Sequence, residues 1–147
     1  MPEVRLAALC DERLVDGLVV RRVHGGGGAA MRDVCTVNEL LRPMMGRPSV
    51  HRPYCAVCGR AGVPLNQHHI VRRGAGRLVV GGVEAEKPTV TLCGSGNASG
   101  CHRKAHDGRL HFRWVGWDDG HWERKLTPKA CRYQDALADE SGWGRLL

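Results

Sequence analysis

At 147 residues with a net charge of +7, the chain has room for one modest core, which excludes two independent domains. Its 22 lysines and arginines against 15 acidic residues tilt the surface toward polyanions such as nucleic acid. One phenylalanine, two tyrosines and four tryptophans leave hydrophobic burial thin, a shortage that a metal staple relieves. No apolar run nears the roughly 20 residues that span a bilayer, and no charged-then-apolar leader opens the sequence. The expectation is therefore no membrane partner and a cytoplasmic location.

Residues 4–23 fit either an amphipathic helix or a hairpin turning at Asp16-Gly17, and residues 25–28 are an unbroken glycine run that interrupts any element. Thr36-Val37-Asn38-Glu39 ahead of Leu40 and Leu41 reads as a capping box whose helix must stop near Pro43. Residues 1–50 as a whole read as an irregular N-terminal arm, basic at Arg21, Arg22, Arg42 and Arg47.

From Tyr54 onward the signals sharpen. Cys55-Ala56-Val57-Cys58 before Gly59 is a zinc-knuckle turn that aims two sulfurs at one ion. Residues 64–71 are apolar enough for a strand carrying His68 and His69. Residues 72–77 form a basic, glycine-rich loop with Arg72, Arg73 and Arg77 placed to grip a backbone phosphate. A second β-type run at 89–92 delivers Cys93. Residues 101–106 have helical composition and stop at Asp107-Gly108, which puts His102 and His106 on one helix face. Beyond them Leu110, Phe112 and Trp114 alternate with His111 and Arg113. A further run begins at His121, so a β-hairpin is predicted with Trp122 and Leu126 on the same face as the first set. Pro128 ends it, residues 133–139 read as a helix, and the tail reads as mobile.

Two pairs of cysteines let a short chain close four thiolates around Zn²⁺. Cys55, Cys58, Cys93 and Cys101 fit, although seven residues separate the second pair where two are usual. Bound zinc would add to folding free energy. Cys10, Cys35 and Cys131 read as small apolar residues. Consecutive histidines on a strand point to opposite faces, so of His68 and His69 one faces a metal and the other a reacting water. His102 and His106 join the metal side, giving three imidazoles and open positions for water and a phosphate oxygen. His51 lies just outside the knuckle, His24, His111 and His121 read as solvated, and Trp114, Trp117 and Trp122 as core.

In combination, Cys55-x-x-Cys58-Gly59, His68-His69-Ile70, Leu92-Cys93 and Cys101-His102-x-x-x-His106 resemble the HNH endonuclease family in its four-cysteine version, common in phage genomes. The likeness spans residues 55–106. It implies an α+β chain with a ββα-metal (His-Me finger) core stapled by a four-cysteine zinc site, followed by a C-terminal β-hairpin. On that reading residues 1–50 are an extension, 51–127 the nuclease domain with its hairpin, and 128–147 a helix and tail. The resemblance further implies hydrolysis of DNA, with His68 as a metal ligand, His69 as general base, and His102 and His106 as the remaining ligands. One catalytic divalent ion (Mg²⁺, Mn²⁺, Ni²⁺ or Zn²⁺) would sit beside the structural Zn²⁺, and Arg72, Arg73 and Arg77 would contact DNA. Phage terminase or packaging proteins are the implied partners, in the cytoplasm of a bacterial host or phage-infected cell. One position departs from the pattern: counting back from Cys93, the family asparagine falls on Pro88, which offers no donor. Asn97, in the enlarged loop, is the candidate substitute. The alternative function is a noncatalytic zinc module for DNA binding or assembly, and a purely structural zinc protein is a third.

Overall fold

The computed structural model describes residues 33–147. The expectations for residues 4–23 and 25–28, and for Cys10, Arg21, Arg22 and His24, lie outside them. Along the chain run β1 (Val34–Cys35), β2 (Leu65–His69), β3 (Leu78–Val80), β4 (Val83–Glu84), β5 (Thr89–Cys93), α1 (Gly100–His106), β6 (Leu110–Val115), β7 (His121–Leu126), α2 (Tyr133–Ala138) and β8 (Trp143–Arg145). The chain is thus α+β, and among the described residues no helix is long and apolar enough to cross a membrane. These elements divide into two compact units, residues 33–46 with Val71–Lys87, and Arg47–Ile70 with Pro88–Leu147.

In the first unit β1, β3 and β4 form an antiparallel sheet in that order. Val37, Met44, Met45, Val71, Leu78 and Val79 supply its buried apolar residues. The expected helix before Pro43 is absent, and only a 3-10 turn at Arg42–Met44 forms. Two side chains explain this. The Thr36 hydroxyl accepts the Arg77 N–H at 2.8 Å instead of capping its own chain. Asn38 Oδ1 takes the Leu40 N–H at 2.7 Å, an Asx turn that competes with helix initiation. Cys35 is disulfide-bonded, not the plain apolar residue expected.

The second unit is organised around β5. Its partner β2 runs antiparallel in the register Leu65↔Cys93, His68↔Val90 and His69↔Thr89. Along its other edge, Val50 donates to the Thr89 carbonyl at 2.8 Å and accepts from the Thr91 N–H at 3.1 Å. With both edges filled, Val90, Thr91, Leu92 and Cys93 are all buried. The chain leaves β2 after His69, passes through residues 71–87 of the other unit, and returns at Thr89, so the two strands pair although far apart in sequence. Helix α1 follows β5 through a loop at residues 94–99.

Strands β6, β7 and β8 complete the unit, with Leu110 opposite Leu126 and Trp114 opposite Trp122, the face matching expected from alternation. The tail is not mobile. It forms β8 on β7, and Leu147 N–H reaches the Ala56 carbonyl at 2.9 Å. What draws it in is the Trp143 ring, which lies 4.3 Å beneath the Arg113 guanidinium and 5.5 Å from Lys125 Nζ. Two inside-or-outside assignments also change, one in each direction. His111 is buried because residues 131–133 fold over its side of the sheet, with Tyr133 at 6.2 Å and Cys131 Sγ at 3.5 Å from His111 Nε2. Trp117, expected in the core, stands 72% exposed in the turn, where strand alternation no longer applies.

Lys125 is only 4% exposed, and its ammonium bonds the Ala136 carbonyl at 3.1 Å and the Asp139 carbonyl at 2.7 Å, closing the C-terminal end of α2. Lys125→Met keeps the aliphatic stem and removes these bonds, taking the ammonium donor from the buried Ala136 carbonyl, while the Asp139 carbonyl keeps the Trp143 Nε1 donor at 3.3 Å. A loss of about 1–3 kcal/mol is expected in urea unfolding. An unchanged midpoint would show that the ammonium contributes nothing net.

Candidate metal centres

The first centre joins three stretches of chain. In the knuckle, Cys55 N–H donates to the Arg60 carbonyl and Gly59 N–H to the Cys55 carbonyl, both at 2.9 Å, which curls Cys58 back toward Cys55. Strand β5 delivers Cys93, and the first turn of α1 delivers Cys101. The four sulfurs lie within 4.8 Å of one another, and Cys58 Sγ is 3.7 Å from Cys93 Sγ. Four thiolates around zinc at ~2.3 Å place neighbouring sulfurs about 3.8 Å apart, so the separation suits a shared ion. A disulfide needs about 2.05 Å, and all four thiols are free. Cys55, Cys58, Cys93 and Cys101 can therefore hold a structural metal such as zinc.

The thiols are electrostatically prepared for this. The hydrogen bond from Cys101 holds Cys55 down to about 4, aided by backbone bonds and opposed by burial. The same bond pushes the Cys101 thiol up, with burial and the neighbouring sulfurs adding to it. One sulfur thus carries charge while another keeps its proton, the protonation state from which metal uptake releases protons.

The second centre lies on the adjoining face. Nitrogen atoms of His68, His102 and His106 fall within 4.8 Å of one another. The His102 and His106 Nε2 atoms are 3.1 Å apart, and the His68 ring lies 5.1 and 5.2 Å from the two helix rings. Ligand nitrogens at 2.0–2.1 Å in a tetrahedral set are about 3.3 Å apart, which these nitrogens approach. His68 is half-buried, His102 buried and His106 exposed. Burial, and then repulsion from His102, His106 and His69, hold His68 down to about 4. It is therefore neutral near pH 7, with a lone pair free for a metal. His102 Nδ1 meets the Gly96 carbonyl at 2.8 Å.

His69 is not part of this cluster. Strand alternation turns it to the opposite face of β2, across from Thr89. On that face Gln67 bonds both neighbours, donating to Thr89 Oγ1 at 3.1 Å and accepting from Thr91 Oγ1 at 2.8 Å. Pro88 is fully buried, and its carbonyl accepts the Ile70 N–H at 2.9 Å, pinning the strand end beside His69 through backbone alone. Asn97 is exposed in the loop. Asn66, which sequence reasoning passed over, donates to the Gly94 carbonyl at 2.6 Å and ties β2 to that loop. Its signal was its place two residues before His68, on the same strand face.

Arg72, Arg73 and Arg77 belong to the other unit. Arg77 is committed to a two-point ion pair with Glu84 at 3.2 and 3.1 Å. Arg72 and Arg73 are exposed and, among the described residues, their side chains make no hydrogen bond or ion pair. Compared with family models, curated proteins and solved structures, the chain matches none.

Proposed function

We propose that this chain is a metal-dependent HNH endonuclease that hydrolyses DNA phosphodiester bonds on a ββα-metal core formed by β2, β5 and α1. The observation that carries the reading is the convergence of His68, His102 and His106 beside a four-cysteine centre, with His69 on the opposite strand face. A closed set of four ligands suits a structural zinc, whereas three imidazoles leave room for substrate and water. His68, His102 and His106 would hold a divalent ion, Mg²⁺, Mn²⁺, Ni²⁺ or Zn²⁺, which would supply positive charge against the charge developing on the phosphate and the departing 3′ oxygen.

The chain's own residues do the rest. His68, half-buried and neutral, anchors the phosphate site from the strand, and His102 and His106 from the helix. His69 accepts the proton of the attacking water as the new phosphorus–oxygen bond forms, and the bond to the 3′ oxygen breaks, that oxygen taking a proton from solvent water, to leave 5′-phosphate and 3′-hydroxyl ends. In place of the family asparagine, the Ile70–Pro88 backbone bond and the β2–β5 ladder hold His69.

Arg72 and Arg73 follow His69 by three and four residues and, with no ion pair among the described residues, offer their charge to the DNA backbone. The double substitution Arg72→Ala/Arg73→Ala should weaken binding about equally on all sequences and lower the log–log salt slope by about 2. Fluorescence anisotropy across a salt series checks this, and an unchanged slope removes both arginines from the interface. Arg77→Ala should matter less, because its charge is already matched by Glu84. By analogy with the family, the setting is phage DNA processing or packaging in an infected bacterial cell, with terminase components as partners.

The second reading, a noncatalytic zinc-containing DNA-binding or assembly module, is favoured by Pro88 alone. Cleavage of supercoiled plasmid with each metal added singly separates the two. Metal-dependent nicking or linearisation supports the nuclease, while DNA binding with intact zinc and no cutting in any metal supports the module.

A further inference from the structure

We infer that the long loop between Cys93 and Cys101 is a positioning device for His102, coupling the order of the cysteine centre to the metal affinity of the histidine centre. The inference rests on reading His68, His102 and His106 as a metal centre. Seven residues, Gly94 to Gly100, stand where a zinc pair is usually joined by two. They form a closed ring of chain with a narrow neck. A Cβ on Gly100 would lie 2.9 Å from the Gly94 Cα and press on the Cys93 carbonyl, and a Cβ on Gly94 would overlap the Ser99 carbonyl. Only glycine permits that approach. The neck sits at the sulfurs themselves, where Cys101 N–H donates to Cys93 Sγ at 3.4 Å.

Beyond the neck the loop is ordered by its own bonds. Ala98 N–H donates to the Ser95 carbonyl at 3.0 Å and Ser95 N–H to Ser99 Oγ at 3.1 Å. Gly94 is held from β2 by Asn66 and from the preceding segment by the Pro64 carbonyl at 3.0 Å. At the tip Gly96 takes a left-handed φ of +57°, and its carbonyl receives His102 Nδ1 at 2.8 Å. A proton held on Nδ1 leaves the Nε2 lone pair directed at His68 and His106, which is how an outer partner fixes the tautomer and ring orientation of a metal-binding histidine. A two-residue link between the cysteines could not supply this acceptor. Because Cys101 and His102 are adjacent, a metal that orders the neck also orders the ring.

The space around Gly96 is open, with nothing within 4 Å of an added Cβ. Substitution there therefore acts through φ alone. Valine is excluded from the left-handed region, whereas asparagine tolerates it. The probe is Co²⁺ alone, titrated into metal-stripped protein: cobalt at the cysteines gives intense sulfur-to-metal charge-transfer bands, and cobalt at the histidines gives only weak visible bands. With the cysteine bands intact, Gly96→Val should bind the second cobalt about 10–100-fold more weakly, and Gly96→Asn should stay near wild type. Equal affinity in wild type and the valine variant overturns the positioning role while leaving the histidine centre standing. A wild type that takes up cobalt at sulfur only overturns the histidine centre and this inference with it. Independently of any variant, ¹⁵N spectra of wild type loaded at the cysteines should show His102 protonated at Nδ1, and protonation at Nε2 overturns the inference.

Discussion

Cys55→Ser should lower the thermal midpoint of the protein further than any other single substitution considered, and a strong chelator should do the same to the wild type while leaving the variant almost unchanged. Cys55 is fully buried, and the knuckle that carries it bonds β5 through the Ala56 N–H and Thr91 carbonyl at 3.0 Å. Its ion would join the knuckle, β5 and α1, which otherwise share few large apolar side chains. Zinc bound by short cysteine-rich peptides is worth about 10–16 kcal/mol in apparent terms, as much as the whole stability of an ordinary domain at about 5–15 kcal/mol. Losing one of four ligands therefore removes a term the thin core does not replace. Cys131→Ser is the control: this thiol belongs to neither cluster, and its replacement should cost well under the loss at Cys55. Acid should act like the chelator, because protons compete for the sulfurs and Cys101, pushed up by its neighbours, holds its proton most firmly. A wild type whose midpoint ignores both chelator and zinc would show that the cysteines hold no metal.

What was legible beforehand follows from how each feature is encoded. Cysteine and histidine ligands are written in spacing: x-x between Cys55 and Cys58 encodes a knuckle, and x-x-x between His102 and His106 encodes one helix face. Strand alternation likewise told which residues of β6 and β7 share a face. Features set by distant partners were not written locally. Nothing in residues 71–87 announces that they cluster with residues 33–46, and the ordering of the tail depends on Trp143 meeting Arg113 across the sheet. His111 looked outward by alternation until residues 131–133 covered it. At Thr36 a valid helix-start pattern lost to the Asn38 side chain and to the Arg77 N–H. The Gly96 carbonyl has no letter of its own, since any residue carries that acceptor and only the shape of the loop aims it.

Two adjacent substitutions should give opposite signatures at the proposed active site. His69→Ala should reduce plasmid cleavage by about 10²–10⁴-fold while metal content, measured by equilibrium dialysis, stays at the wild-type level. His68→Ala should lose the metal together with the cleavage. The difference comes from one step of strand alternation: His68 faces His102 and His106, whereas His69 faces Thr89 and the Gln67 network. His68 also carries a stability signature when the histidine centre is empty and the cysteine centre loaded. Its folded pKa of about 4 lies below the ordinary 6.5, so the unfolded chain binds more protons between those values and stability falls as pH drops through them. His68→Ala removes that slope, and His69→Ala does not. A His69→Ala variant that cuts at the wild-type rate would place the base on another residue. One that binds DNA and metal fully yet cuts nothing would place the proton transfer at His69, because substrate and metal binding would both have survived the loss of the imidazole.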